Sequence, residues 1–562
     1  MKEFKDFEYK RPDLEATKEE LKKEIEIINT SDDLEEVKKA IFAFYKISGH
    51  FDTMATIASV RHSIDTTDEF YDQEEEFFNE NSPYIEEILD MFNTALIENK
   101  FEKELKEAFG EHLFKMLKVQ KESFSPEIIP ELQEENKLVT KYSKLIASAK
   151  IEFDGKVLNI PQMGVYMENL DRDVRRGAET AIWKFYQEHV SEIDEIYDNL
   201  VKVRTIMAKK MGYENYIPLG YKRLGRTDYD DKDVKTYRDQ VYRDLVPIAT
   251  KIYASQAKRI GIKDFKSYDM GLNYLDGNAS PVGDLNYKLD MTRKMYHELS
   301  KESGEFVDVM LDHKLIDLEA KPGKEGGGYC TGFLDYKVPF VFANFNGTAD
   351  DVGTLTHEFG HAFQAYSSRN FEITEYMWPT LEACEIHSMS MEFFTWPWMD
   401  LFFKDKTKKY KYTHLADSIT FVPYGVAVDE FQHWVYENYE ATPAERKKAW
   451  RDIEKKYLPY KKYDNQFLEE GNYWIRQSHI FSTAFYYIDY TLAQNCAHQF
   501  WVKNAEDHEK AWRDYYNLCK TGGSKSFLDL LKVANLKNPF VDGTVKYAVA
   551  PLQKWLDENE IK

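Results

Sequence analysis

Two histidines four residues apart with a glutamate beside the first, in the segment HEFGH at 357–361, have the types and spacing of a metal-assisted hydrolytic site. On a helix, His357 and His361 lie one turn apart on one face, so both imidazoles can reach the same ion, with Glu358 next to them. Two neutral imidazoles suit zinc, and a carboxylate held beside the ion but not on it can take a proton from an activated water and pass it to a leaving group. A catalytic zinc takes a third protein ligand and keeps a fourth position for water. The segment PTLEACEIHSMSMEFF at 379–394 offers Glu382, Glu385, His387 and Glu392. Helical spacing sets Glu385 and Glu392 two turns apart on one face, with Glu382 nearly one turn before Glu385; it ranks Glu385 first and leaves a choice. Glu392 suits a supporting role, orienting a ligand imidazole.

These residues need a helix with a buried back. Val352, Leu355, Phe359 and Phe363 provide it, on the side away from the histidines. Thr348 and Asp351 read as a capping box that starts the helix just after Asn346-Gly347. Upstream, KPGKEGGGYCTGFLDYKVPFVFANFNG at 321–347 replaces charged helical periodicity with glycines and aromatics, and reads as a loop and a strand pair. Its VPFVFANF run reads as an edge strand, where Pro339 is tolerated and an extended peptide could add by backbone hydrogen bonds. The Gly326–Gly328 loop has the freedom to fold over such a peptide.

The rest reads as scaffold. Amphipathic helices run from Thr17, with a capping box at Thr17 and Glu20, to about residue 150. IEFDGKVLNI at 151–160 carries an Asp154-Gly155 hairpin turn, and long charged helical segments follow towards Ser300. The expectation is a mainly α protein with a small sheet beside the HEFGH helix, a helical region at 1–150 and a catalytic region at 151–562.

Composition narrows the function classes. Against 75 basic residues stand 98 acidic ones, a formal charge of −23, with no basic block to offset it, so nucleic acid and anionic membrane are poor partners. No apolar stretch approaches the roughly 20 residues of a membrane span, and the polar N-terminus lacks the order of a secretory signal. Four cysteines without close pairing suit a reducing compartment, and the expected location is cytoplasmic. No sequence feature specifies an oligomeric state.

At HEFGH, at the E-x-x-S of Glu385 to Ser388 with Glu392 beyond it, at GGYC and PFVFANFNGT, and at HIFSTAFYYIDY (479–490), the chain resembles the M3 metallopeptidases, the thimet oligopeptidase family, and most closely their bacterial oligoendopeptidase F branch. Weaker similarity runs from about Pro161 to GGSKSFLDLLKVA near the C-terminus. The resemblance implies Glu385 as third ligand to one Zn²⁺ per chain. It also implies an elongated two-lobed helical ellipsoid with a deep channel, and short unstructured peptides as substrates cut at internal bonds. His479, Tyr486, Tyr487 and Tyr490 match the positions that hold substrate and intermediate in that family; from the residues alone, FYYIDY reads as an aromatic core strip. The alternative function is a zinc carboxypeptidase or dipeptidyl carboxypeptidase, for which Arg476, close to His479, could supply the charge that binds a substrate C-terminus.

Overall fold

The structure, a computed structural model, describes residues 2–321 and 323–561. The N-terminal third is helical, as its periodicity predicts. Helix α1 (Leu14–Thr30) packs on α2 (Leu34–Ile64) and α3 (Glu69–Ile97). The cap of α1 differs from the expectation at Thr17 and Glu20: the helix begins four residues earlier, where the Asp13 carboxylate accepts from the Ala16 amide at 3.1 Å. Asp13 is also a favoured cap residue, and Leu14 extends the apolar stripe back to it.

A two-stranded hairpin follows, β1 (Ile151–Phe153) and β2 (Lys156–Leu158). Asp154 and Gly155 both have positive φ, 51° and 70°, as a tight two-residue hairpin turn requires. The long helix α4 (Arg172–Lys210) then returns the chain to the main body.

The site rests on a three-stranded sheet of order β3-β5-β4, made of β3 (Ile316–Glu319), β4 (Tyr329–Phe333) and β5 (Val338–Phe345). β5 is therefore central, which corrects its reading as an edge. It is antiparallel to β4 and parallel to β3. Pro339 is accommodated because β3 pairs only from Val341 onward. The Val341 amide points to β3, bonding Leu315 O at 3.0 Å, so the amide that Pro339 lacks would point the same way, before β3 begins. The outer strands are β3 and β4, and β4 presents an open edge. Along it lies a cavity of about 530 Å³, walled on the far side by α2 residues Thr56, Ser59 and Ser63.

After β5 come α5 (Asp350–Ser368), α6 (Leu381–Phe394), α7 (Thr407–Glu437) and α8 (Tyr487–Glu506). Val352, Leu355, Phe359 and Phe363 of α5 are fully buried, as their spacing predicts. The expected Thr348–Asp351 cap takes another form. Asp351 accepts from the Asn346 and Gly347 amides at 2.8 and 3.1 Å and pairs with Lys288 at 2.6 Å, while the Thr348 hydroxyl donates to Asn346 Oδ1. The carboxylate thus ties the end of the sheet to the start of α5. One continuous hydrophobic core runs from Phe4 to Leu556.

Candidate active site

Helices α5 and α6 cross at Gly360, inside HEFGH. A side chain there would meet His387 O and Ser388 Cα, each at 2.6 Å, so only glycine lets the two backbones touch. This contact brings Glu385 under the two imidazoles. Glu385 Oε2 lies 3.3 Å from His357 Nε2 and 3.5 Å from His361 Nε2, and the three donors form a group able to hold a metal ion. Two ligands each about 2.0–2.2 Å from a tetrahedral zinc stand roughly 3.3–3.5 Å apart, so the donor set has the spacing zinc needs.

The neighbouring groups fit a cation as well. Ser388 Oγ donates to Glu385 Oε2 at 3.0 Å, and the Tyr486 hydroxyl donates to Oε1 at 2.9 Å. His357 Nδ1 meets Glu392 Oε1 at 2.7 Å, and the other oxygen of Glu392 meets His414 Nε2 at 2.6 Å. Trp396 donates its indole N–H to His414 Nδ1 at 3.0 Å, closing a chain that reaches from α5 through α6 to α7. Burial pushes the Glu392 carboxyl up, but the hydrogen bonds and charges of His357 and His414 more than offset this and bring it down to about 2. Glu385 is likewise held well below the usual carboxylate range, against its burial, by His361 and His357. Glu358 stands apart from the donor group. Burial raises its carboxyl, His357 and His361 oppose the rise, and its Oε2 is buried without a hydrogen-bond partner. Gly328, at the end of the glycine loop, sits where an added Cβ would be 3.5 Å from Glu358 Oε1; Asn344 pins that loop to β5 by donating to Glu325 O and Gly327 O.

Spacing left three acidic candidates, and they have separate surroundings. Glu385 joins the histidines and Glu392 backs His357. Glu382 is fully buried near Asp489 and Arg226, with neither carboxylate oxygen hydrogen-bonded. His387, on the same helix, is also fully buried away from the donor group.

The late aromatic segment is brought to the same place. His479 Nε2 lies 3.3 Å from the Tyr490 hydroxyl, and the His479 ring is 5.8 and 5.0 Å from those of Tyr486 and Tyr487. Tyr424 donates to Gln477 Oε1 at 2.9 Å, which turns the Gln477 amide N–H towards His479 Nδ1 at 2.7 Å. A neutral His479 therefore carries its proton on Nε2, facing the tyrosines, and burial lowers its pKa so that the neutral form dominates at pH 7. Phe485, just before the tyrosines, has φ +67°, the left-handed region that a bulky residue rarely occupies. Gln432 accepts from its amide at 3.0 Å and Arg226 donates to its carbonyl at 2.7 Å, also holding Asp489 at 2.6 Å.

His414, Gln477, Gln432 and Arg226 were not foreseen. His414, Gln432 and Arg226 each act on residues distant in sequence, while Gln477 lies two residues before His479 and is turned by Tyr424 of α7; no local spacing marks any of the four.

Residues 165–548 match the sequence model of peptidase family M3, and residues 4–124 match that of the peptidase M3 N-terminal domain, so the chain belongs to that family. Among individual proteins, the structure of PZ peptidase A with an inhibitor superposes with a TM-score of 0.96 at 51% identity, covering 99% of each chain. The chromosomal oligoendopeptidase F of Lactococcus lactis subsp. cremoris is 27% identical over 221 residues, 37% of this chain and 33% of that one. Oligopeptidase PepF of Bacillus subtilis is 22% identical over 405 residues, 70% of this chain and 58% of that one. The chain thus spans between a third and somewhat under two thirds of the length of these two curated relatives. Among the described residues no helix is long and apolar enough to cross a membrane.

Proposed function

We propose that this chain is a zinc-dependent endopeptidase that hydrolyses internal bonds of short, unstructured peptides. The observation that carries the reading is the convergence of His357, His361 and Glu385 within ligand distance of one another, beside a buried Glu358 oxygen with no partner of its own. His357, His361 and Glu385 would hold the ion, and zinc bound there supplies Lewis acidity, acidifying water and polarising a carbonyl.

The protein's own groups do the rest. Glu358 accepts a proton from the attacking water and returns it to the departing amine, and its raised pKa suits a group that must both take and give. Glu392 holds His357 through Nδ1, leaving Nε2 as the donor atom, and His414 keeps Glu392 in place. The Nε2–H of His479 and the hydroxyl of Tyr490 are donors for a developing oxyanion, while the Tyr486 hydroxyl donates to Glu385; burial raises both phenols, so they stay protonated. Tyr487 packs against His479 and sets its ring. An extended peptide can pair with the free edge of β4 in the cavity facing α2, a mode that reads backbone more than side chains. This transfers to β4 the role first expected of β5.

An internally quenched peptide blocked at both ends, assayed with and without chelator, tests the proposal. Zinc-dependent cleavage is expected. An enzyme that cuts only peptides with a free C-terminus would instead be a carboxypeptidase or dipeptidyl carboxypeptidase, and metal-independent cleavage would remove the zinc.

A further inference from the structure

Two turns before His357, the histidine-bearing side of α5 is bare and ends on an acid. Asp350, Gly353 and His357 are spaced three and four residues apart, which sets them on one helical face, and a side chain added at Gly353 would meet nothing within 4 Å. Gly353 opens on a cavity of about 230 Å³, walled also by Glu168 and by Tyr410, His414 and Asp417, which share one face of α7. His414 joins this cavity to the candidate site through Glu392 and His357. Among the described residues no lysine, arginine or histidine lies within ion-pair distance of Asp350, Asp417 or Glu168; Glu168 accepts the Asn278 amide N–H at 3.0 Å, and the other two carboxylates are accessible and take no hydrogen bond. Arg259, whose charge reaches Asp417, is turned elsewhere: it donates to Asn273 O at 2.7 Å and lies over the rings of Tyr274 and Tyr412. The enclosing protein pushes all three carboxyls up, Asp417 to about 7, and repulsion from neighbouring acids adds to the rise. Tyr410 is 5% exposed and stacks on Phe403 at 4.0 Å, yet its hydroxyl, in the cavity wall near Asp350, has no hydrogen-bond partner among the described residues.

Unpaired acids and an idle buried-ring hydroxyl around one open space form a receptor for a cation. A bare metal ion is not the occupant, because among the described residues only His357, His361 and Glu385 bring three such donors close enough to share one. A guanidinium spans acceptors that are further apart, since its five N–H groups point outward in one plane. The volume falls below the roughly 300 Å³ at which pockets begin to hold drug-sized ligands, and it suits a single side chain. We propose that Asp350, Asp417, Glu168 and the Tyr410 hydroxyl form a subsite for a cationic group of the peptide, first of all an arginine side chain, with lysine and a free N-terminal ammonium as weaker forms of the same chemistry. Asp350 stands seven residues from His357, about 10 Å along the helix axis. At about 3.3 Å per extended residue, and with the reach of an arginine side chain, the basic residue lies roughly two to three positions from the bond under attack. The subsite rests on the peptidase reading above and adds to it a substrate class, peptides with a basic residue at a fixed distance from the cut.

The test uses the zinc-loaded full chain and internally quenched peptides of one neutral sequence, blocked at both ends, in which a single arginine is moved position by position, with citrulline at each position as the uncharged control of the same shape. At one distance from the cut, wild type is expected to favour arginine over citrulline roughly 10- to 100-fold in kcat/KM, with ratios near one elsewhere. Asp417→Asn and Asp350→Asn should each bring the favoured ratio towards one, and Asp417→Lys should make glutamate the preferred residue at that distance. Because Asp350 lies in the first turn of α5 and Asp417 in the middle of α7, the second position tests the subsite even where the first weakens its helix; circular dichroism and zinc content check each variant. A further arm places a free N-terminal amine at the favoured distance: a gain over the acetylated peptide assigns the subsite to cations of either source, and no gain assigns it to side chains alone. An arginine preference that is equal at every position reports only the long-range field of an acidic protein and would overturn the subsite, as would a positional preference that survives in the Asp350→Asn, Asp417→Asn double variant. Failure of wild type to hydrolyse any peptide of the series would instead overturn the peptidase reading.

Discussion

Glu358 and Glu392 are both acidic and both near His357, but they are asked for opposite things. Glu358→Gln keeps the shape of the side chain and removes the proton acceptor; it is expected to retain metal and lose about 10²–10⁴ in turnover, read by metal analysis alongside kcat. Unchanged turnover in the metal-loaded variant would dismiss Glu358 as the base. Glu392→Gln removes the charge that draws both His357 and His414, and a loss of about 10–100-fold in zinc affinity is expected in a chelator competition. Glu382 behaves differently, because burial, helped by the Asp489 charge and opposed by Arg226, pushes it up to about 8 from an ordinary 4.5. A carboxyl raised in this way stabilises the fold fully below its unfolded pKa and loses that contribution as pH rises through the folded value. Glu382→Gln should accordingly melt higher than wild type at pH 9 and match it near pH 4 in thermal scans; no difference at pH 9 would mean the carboxylate is solvated.

Elements differ in how much of them local pattern reveals. Past its cap, the α5 helix was legible, since the four residues of its buried side and the two histidines of its open side all follow one period of 3.6. The choice among Glu382, Glu385 and Glu392 was not, because all three sit on one short helix and their fates depend on what packs against each face: the histidines of α5, the His414 ring of α7, or the Arg226–Asp489 pair. Sheet order was also hidden. β5 carries an edge-like proline, but its neighbour β3 comes from residues 316–319, a stretch too short to show a strand pattern of its own, and pairing between strands is not written in either one. The αL residue Phe485 was invisible for the same reason, since it is imposed by Gln432 and Arg226 from other elements. Arg226→Met frees the Phe485 carbonyl and releases the turn that aims Tyr486 at Glu385. A drop of roughly ten- to a hundredfold in kcat with zinc content kept is expected, and a change confined to KM would argue against this positioning role.

Across the whole molecule, the helical region at 1–150 and the remainder share one core. Phe7 stacks on Tyr336 at 3.8 Å, and Phe4 lies 4.5 Å from Phe340 of β5 and 5.4 Å from Phe333 of β4. Tyr376, in the turn before α6, accepts the Leu113 amide and donates to Phe109 O. Residues 151–562 expressed alone are therefore expected to aggregate or to fold without stable metal binding, as followed by solubility and zinc content, because the sheet beneath the site would lose its cover. The aromatic pair at positions 4 and 7 has one more consequence, and it concerns biosynthesis. A ribosome adding about 5–20 residues per second reaches Phe333 to Phe340 some 15–70 seconds after it has made Phe4. For that interval Phe4 and Phe7 lack the sheet they pack on and have only Arg61, which lies 5.6 Å from the Phe4 ring and donates to Phe7 O at 2.7 Å, so the segment that holds them is completed late.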